Sequence, residues 1–272
     1  VTNREIKRRI LSVRETVKIT KAMHLISVAK MTRARASIPP AYAYNRASIS
    51  LLNDVVASAS EESIYLGKKG KRAGFLVIAG DKGLCGDYNQ KVFEAALDEI
   101  KRKEESYVFT VGSVTRELFR KEGISVDVEF LNSAESPSPE TAFSIASDVL
   151  YLFENDMLDE IYAVYTEGEK NPSEIRVKRL LPYSEREGKR AESIPNTDDL
   201  LRSAVVNYLS AFIYYAILSS SLAENIARIK AMSQATENGK KMIESLTAKY
   251  NRLRQEGITR ALQSTSTSET EL

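Results

Sequence analysis

From Asp198 to about Leu262 the chain passes roughly sixty-five residues without a proline and with glycine only at Gly239 and Gly257. Apolar side chains recur there at Leu201, Val205, Tyr208, Phe212 and Tyr215, then at Leu222, Ile226, Ile229, Ile243, Tyr250 and Leu253. Spacing of three and four stacks side chains on one face of a 3.6-residue turn and predicts one continuous amphipathic helix. At 1.5 Å per residue such a helix is roughly 100 Å long, several times the width of a small domain. A chain of 272 residues cannot wrap it, so it is expected to project from its own domain and to need a partner for its apolar stripe.

The N-terminus offers that partner. From Thr2 to Ser37 there is again no glycine or proline, and Ile6, Ile10, Val13 and Val17 begin a heptad-like seam that continues through Thr20, His24, Ser27, Met31 and Ala34. Two helices at opposite ends of one chain most simply form an antiparallel coiled coil, with a short polar stretch of seam serving register. The alternative is that each helix packs separately onto the middle of the chain. Ten Lys or Arg (Arg4, Lys7, Arg8, Arg9, Arg14, Lys18, Lys21, Lys30, Arg33, Arg35) face only Glu5 and Glu15 in this segment, whereas residues 92–160 are acidic. Any one of these cations reads as a solvated helix face, but ten together suggest an acidic partner surface. The whole-chain charge of +2 announces neither nucleic acid nor membrane.

The pair Pro39-Pro40 is expected to kink or interrupt the first helix, and a second helical run follows from Ala41 to about Ser60. After a polar linker, Gly67 to Arg72, the pattern changes. Strands are predicted at Gly74–Ala79, Tyr107–Val111, Ile124–Phe130, Glu160–Tyr165 and Ile175–Leu181, and helices at Asn89–Glu105, Val114–Glu122 and Pro139–Asn155. Alternation of this kind implies βαβ units on a mainly parallel, Rossmann-like five-stranded sheet, with the last strand, after a short Gly168–Pro172 turn, antiparallel at an edge. The polar segment Pro182–Asn196 leads to Thr197 as N-cap, with Asp198 and Asp199 in the first turn. The fold class is thus α/β, with a helical part at 1–66, a central α/β domain at 72–196 and a long helix with a polar tail at 197–272. That tail, from Gln263 on, is rich in Ser and Thr and gathers Glu269 and Glu271 at a helix C-terminus, so fraying is expected between Leu262 and Thr265.

The most site-like string is Gly80-Asp81-Lys82-Gly83-Leu84-Cys85-Gly86, directly after the first predicted strand. Its glycines are spaced G-x-x-G-x-x-G rather than G-x-G-x-x-G, and no G-x-x-x-x-G-K-[ST] occurs. Gly80, Gly83 and Gly86 therefore read as a structural loop pressed close to another backbone, with nucleotide binding as the weaker alternative. One cysteine, Cys85, excludes an internal disulfide, and the one histidine, His24, has no partner at metal-ligand spacing. No catalytic acid/base constellation, cofactor site or metal site is expected. Neither a continuous 18-residue apolar run nor a signal-peptide core is found, so a soluble chain with nothing spanning a membrane is expected.

Five strings then narrow the field: Lys18-Ile19-Thr20-Lys21-Ala22-Met23, the Gly80–Gly86 loop, Ala223-Glu224-Asn225-Ile226-Ala227-Arg228 with Ala231-Met232, Ala235-Thr236-Glu237-Asn238, and Tyr250-Asn251-Arg252 through Arg254-Gln255 to Ile258-Thr259. In this order and over nearly the whole chain they resemble the gamma subunit of the rotary F-type ATP synthase. The resemblance implies a non-catalytic central shaft inside a hexamer of alpha and beta subunits, its α/β domain set against the epsilon subunit and the membrane ring of c subunits. It also implies a peripheral place on the cytoplasmic face of a bacterial inner membrane, with mitochondrial matrix and chloroplast as alternatives, indirect membrane contact and no nucleic acid. Lys18, Met23, Arg254, Gln255, Ile258 and Thr259 fall in motifs that couple rotation to catalysis in that family, and Arg228 matches a residue facing a beta subunit. The C-terminal tip departs from the family pattern: Ala261 stands where an acidic residue is usual, and Gln263–Ser268 replaces a Gly-Ala tip. A nucleotide-dependent enzyme using the Gly80 loop and a passive structural tether remain the alternative classes.

Overall fold

The computed structural model describes residues 2–57, 63–67, 70–130, 137–168, 174–184 and 198–269, with side chains of the last helix described through Thr259. Its elements in chain order are α1 (Asn3–Val56), α2 (Ile64–Gly67), β1 (Arg72–Ile78), α3 (Tyr88–Ile100), β2 (Glu105–Val111), α4 (Ser113–Lys121), β3 (Val128–Phe130), α5 (Pro139–Glu154), β4 (Glu160–Thr166), β5 (Ile175–Leu181) and α6 (Asp198–Glu269). By packing density the chain divides into two compact units, residues 28–228 and residues 1–27 with 229–272. This is a different division from the one by element at 1–66, 72–196 and 197–272.

In the larger unit the sheet runs β3-β2-β1-β4-β5. β1 pairs parallel with both β2 and β4, β2 pairs parallel with β3, and β5 closes the edge antiparallel to β4. Six of the seven β1 residues are buried, as a central parallel strand covered on both faces requires. Leu76 and Ile78 point into a core shared with α5 and α6, whereas Phe75 and Val77 point into a second core with α3 and α4. α5 starts where the sequence says it should: Ser138 Oγ accepts from Thr141 N at 3.2 Å, with Pro139 at the first helical position. Along α6, Tyr208, Phe212 and Ala216 are buried against the sheet, and Asn207 Nδ2 donates to Ser48 Oγ at 3.0 Å. Tyr42 packs at a tilt against Tyr215, and with Ser48 beside Asn207 this makes α1 and α6 antiparallel within this unit.

The smaller unit is an antiparallel helix pair. Ile6, Ile10, Val17, Thr20 and Ser27 are buried, and Val13 and His24 partly so, which is the seam predicted from spacing. Thr20 Oγ1 and Thr236 Oγ1 share a hydrogen bond of 2.7 Å, and one turn away Gly239 faces Val17. Position number rises on one helix as it falls on the other, which fixes the antiparallel sense.

Several expectations need correction. α1 is not interrupted at Pro39-Pro40 but continues to Val56, taking in the second predicted helix. The packing of Ile38 and Ala41, 1% and 4% exposed, offsets the two missing backbone donors. α6 continues to Glu269, beyond the expected fraying point. β3 is shorter than predicted because residues 124–127 serve as a tether, with Asp127 Oδ2 accepting from Val108 N at 2.7 Å. α6 also carries an 18-residue window of mean hydropathy 1.4, enough by length and composition to cross a membrane, but 72% of it is buried within the protein. Core burial accounts for that apolarity. Residues 169–173 of the predicted turn, residues 68–69 of the linker, most of Pro182–Asn196 and the Thr197 cap lie outside the described residues.

Candidate functional site

The Gly80–Gly86 loop leaves the carboxyl end of β1, which lies between β2 and β4 where the strand order reverses. In open α/β sheets a ligand crevice lies at that switch point. Here α6 occupies it. Ser220 Oγ accepts from Thr166 N at 3.1 Å, Ser219 Oγ accepts from Gly168 N at 2.8 Å, and Tyr88 Oη donates to Ser220 O at 3.0 Å. The backbone donors that a phosphate would use at the end of β4 are thus satisfied by two serines of the chain's own helix.

One turn further along α6, Glu224 sits beneath the loop. A Cβ on Gly80 would lie 2.5 Å from Glu224 Oε1, so any larger residue there would displace the Glu224 carboxylate. Arg228, one turn on, bonds Glu224 Oε1 through Nη2, and the same nitrogen donates to Lys82 O at 3.1 Å and Gly83 O at 3.2 Å. Burial pushes the Glu224 carboxyl upward, while the Arg228 guanidinium pulls it down. From the other side Asn89 Oδ1 accepts from Gly80 N at 2.9 Å, and Asn89 Nδ2 donates to Cys85 Sγ at 3.2 Å and Lys82 O at 3.3 Å. Cys85 is buried, which raises its thiol above the ordinary range. Leu84 at the tip adopts φ 61° and is 62% exposed. The cleft among Lys30, Asp81, Lys82, Glu224, Asn225 and Arg228 holds about 30 Å³, room for a water or two and far below a nucleotide pocket.

The three loop glycines do different things from those expected. Gly80 is crowded by a side chain rather than by backbone, Gly86 is needed for φ 65°, and Gly83 has open space around its Cα. Outside the loop, Gly168, where a Cβ would lie 2.3 Å from Ser219 O, and Gly112, at φ 108° with Ala79 O against it, do press on backbone. The sequence signal of Gly112 was its place between a strand and a helix. Asn89 and Glu224 were also missed; the trace of Glu224 was an i,i+4 Glu-Arg pair on an otherwise apolar helix stretch. Of the predicted partner-coupling residues, only Arg228 belongs to this cluster.

The others lie in the helix pair. Lys18 is exposed and bonds Glu15 at 2.8 Å, Met23 is half-buried and its carbonyl accepts from Ser27 Oγ at 2.8 Å, and Arg254, Gln255, Ile258 and Thr259 are exposed. Large apolar side chains stand open beside them: Leu11, Ile19, Leu25 and Ile26 on α1, and Met242 and Ile258 on α6, are each 45–68% exposed. No group of three His, Cys, Asp or Glu suited to a metal occurs among the described residues.

A Rossmann-like sheet with its crevice filled by the chain's own long helix, joined in sequence to an antiparallel helix pair with an uncovered apolar surface, defines a structural stalk type of protein. The family model described as ATP synthase matches residues 2–264. Curated relatives include the ATP synthase gamma chains of Caldanaerobacter subterraneus subsp. tengcongensis, 36% identical over 95% of this chain and 96% of that one, and of Alkaliphilus metalliredigens, 34% identical over 95% and 94%. The chain belongs to the ATP synthase gamma chain family. The fold is also shared with a chain of the Euglena gracilis mitochondrial ATP synthase (TM-score 0.65, 15% identity, 99% of this chain and 94% of that one). A chain of the Tetrahymena thermophila central stalk and c-ring structure gives TM-score 0.62 at 20% identity, covering 80% and 99%.

Proposed function

We propose that this chain is the non-catalytic central shaft of an F-type ATP synthase, turning within a hexamer of alpha and beta subunits and coupling ion-driven rotation of a c-subunit ring to ATP synthesis or hydrolysis. It sits peripherally on the cytoplasmic face of a bacterial inner membrane, reaching the membrane through the c ring, with the epsilon subunit beside its α/β unit. The observation that carries this is the uncovered helix pair: six large apolar side chains at 45–68% exposure, set among the basic residues of α1, form a surface that water does not favour and that a surrounding acidic and apolar partner would cover. Coupling follows because each shaft angle presents a different face to each beta subunit, and only contacts that differ between states shift a conformational equilibrium. Lys18, Met23, Arg254, Gln255, Ile258 and Thr259 are the proposed contacts. Its non-catalytic character is supported by the filled crevice and by the buried Glu224 carboxylate where a phosphate would need positive charge.

The test is reconstitution with alpha and beta subunits of a relative, reading ATP hydrolysis and rotation of a bead on the α/β unit. Rotation driven by ATP is expected. Assembly with unchanged hydrolysis and no rotation would identify a passive tether instead. Titration calorimetry of the isolated chain should show no binding of ATP or NAD, and micromolar affinity for either would overturn the non-catalytic reading.

A further inference from the structure

We propose that Arg228 and Glu224 are positioning residues that latch the Gly80–Gly86 loop, and that Arg228 influences coupling through this loop rather than by touching a beta subunit itself. The coupling half rests on the function proposed above; the latch does not. The family resemblance sets Arg228 against a partner. In this structure, however, the residue is 8% exposed, and its guanidinium is turned inward onto Lys82 O, Gly83 O and Glu224. Nε and Nη2 of the planar fork are turned onto these three acceptors, and burial of the residue leaves little of the guanidinium open to another protein. What the latch does present outward is Leu84, the apolar tip residue, held in a left-handed conformation that a side chain adopts only when its surroundings over-determine it.

The loop is closed from two sides. Arg228 takes its carbonyls at residues 82 and 83, while Asn89 takes the Gly80 amide, the Lys82 carbonyl and the Cys85 sulfur. Glu224 supplies the counter-charge that lets Arg228 be buried, and the missing Cβ of Gly80 gives the carboxylate its place. Cys85, the one cysteine in the chain, is 1% exposed beneath this closed loop, so its reaction with a thiol reagent reports latch opening.

In the isolated full chain, labelling of Cys85 by a disulfide reagent is measured for wild type, Arg228→Gln, Arg228→Lys, Glu224→Gln and a control, Val149→Ala, which loosens the other core. Because hydrogen bonds from a charged donor are at stake, Arg228→Gln should label roughly tenfold faster or more. Arg228→Lys, which keeps the charge but not the fork, should fall between. Glu224→Gln should also label faster, and Val149→Ala should label at the wild-type rate. Labelling of both Arg228 variants within about twofold of wild type, or acceleration by Val149→Ala equal to theirs, would overturn the latch. The second arm is a double-substitution cycle in the reconstituted complex, reading the ratio of ion pumping to ATP hydrolysis. If Arg228 acts through the loop, Leu84→Ala should add nothing to the coupling loss of Arg228→Gln, or of Arg228→Lys should the first not assemble. Independent, additive losses, or no coupling loss from the Arg228 variants, would overturn the indirect route while leaving the labelling result standing. A wild-type complex that does not couple would count against the function, not the latch.

Discussion

Cys85 carries a proton that the folded chain holds more tightly than the unfolded one, because burial outweighs the pull of Arg228. With the folded thiol raised above its ordinary 9.0, the unfolded state loses its proton first as pH rises. The stability that Cys85 contributes is therefore complete below about pH 9 and is lost as pH climbs from there through the folded value. Urea midpoints of wild type and Cys85→Ala, compared from pH 8 to pH 10.5, should show wild type losing ground to the variant at the alkaline end. A constant difference would mean that the thiol titrates alike in both states. At this scale the sequence was half legible. The glycine loop was visible as a loop, yet Asn89, Glu224 and Gly112, which pack against it, lie 9, 144 and 32 positions from Gly80, and the faint signals of the last two, an i,i+4 Glu-Arg pair and a glycine between strand and helix, do not point to the loop. Only the fold brings them together.

Helical elements were the most legible, since periodicity is a property of neighbouring residues. The seam of the helix pair was read from spacing, down to the point where it turns small and polar. What spacing does not show is how close two helices come. Gly239 costs helix propensity, but a Cβ there would overlap Val17 Cγ2, and valine is stiff about χ1. Gly239→Ala should thus destabilise the chain by about 1 kcal/mol, overpacking of about 1–3 kcal/mol being partly offset by helix propensity. Adding Val17→Ala should recover part of the loss. Urea unfolding followed by far-ultraviolet circular dichroism measures both, and a stabilised single variant would show that the helices part without cost. The prolines of α1 teach the opposite lesson. A local rule predicted a break at Pro39-Pro40, and burial of Ile38 and Ala41 overrode it.

At the scale of the molecule, alternation of strands and helices was enough to give five strands, a parallel centre and an antiparallel edge. Strand order was not legible, because which strand lies beside β1 is decided by connections and by which faces remain apolar, not by any strand's own residues. Nor was the filled crevice, which needs α6 placed across the ends of β1 and β4. The hydrogen bond between Thr20 and Thr236, 216 residues apart in the chain, carries a further consequence, for the order of events on the ribosome. At about 5–20 residues per second the N-terminal helix waits roughly 10–40 s before its partner is made. For that interval its apolar seam is uncovered, and a single helix of this kind has little stability of its own. Nascent chains stalled before Ile229 emerges should leave residues 3–27 open to protease, whereas chains released past Thr259 should protect them. Early protection would mean that something else, a chaperone or the ribosome surface itself, shelters the first half of the pair until the second arrives.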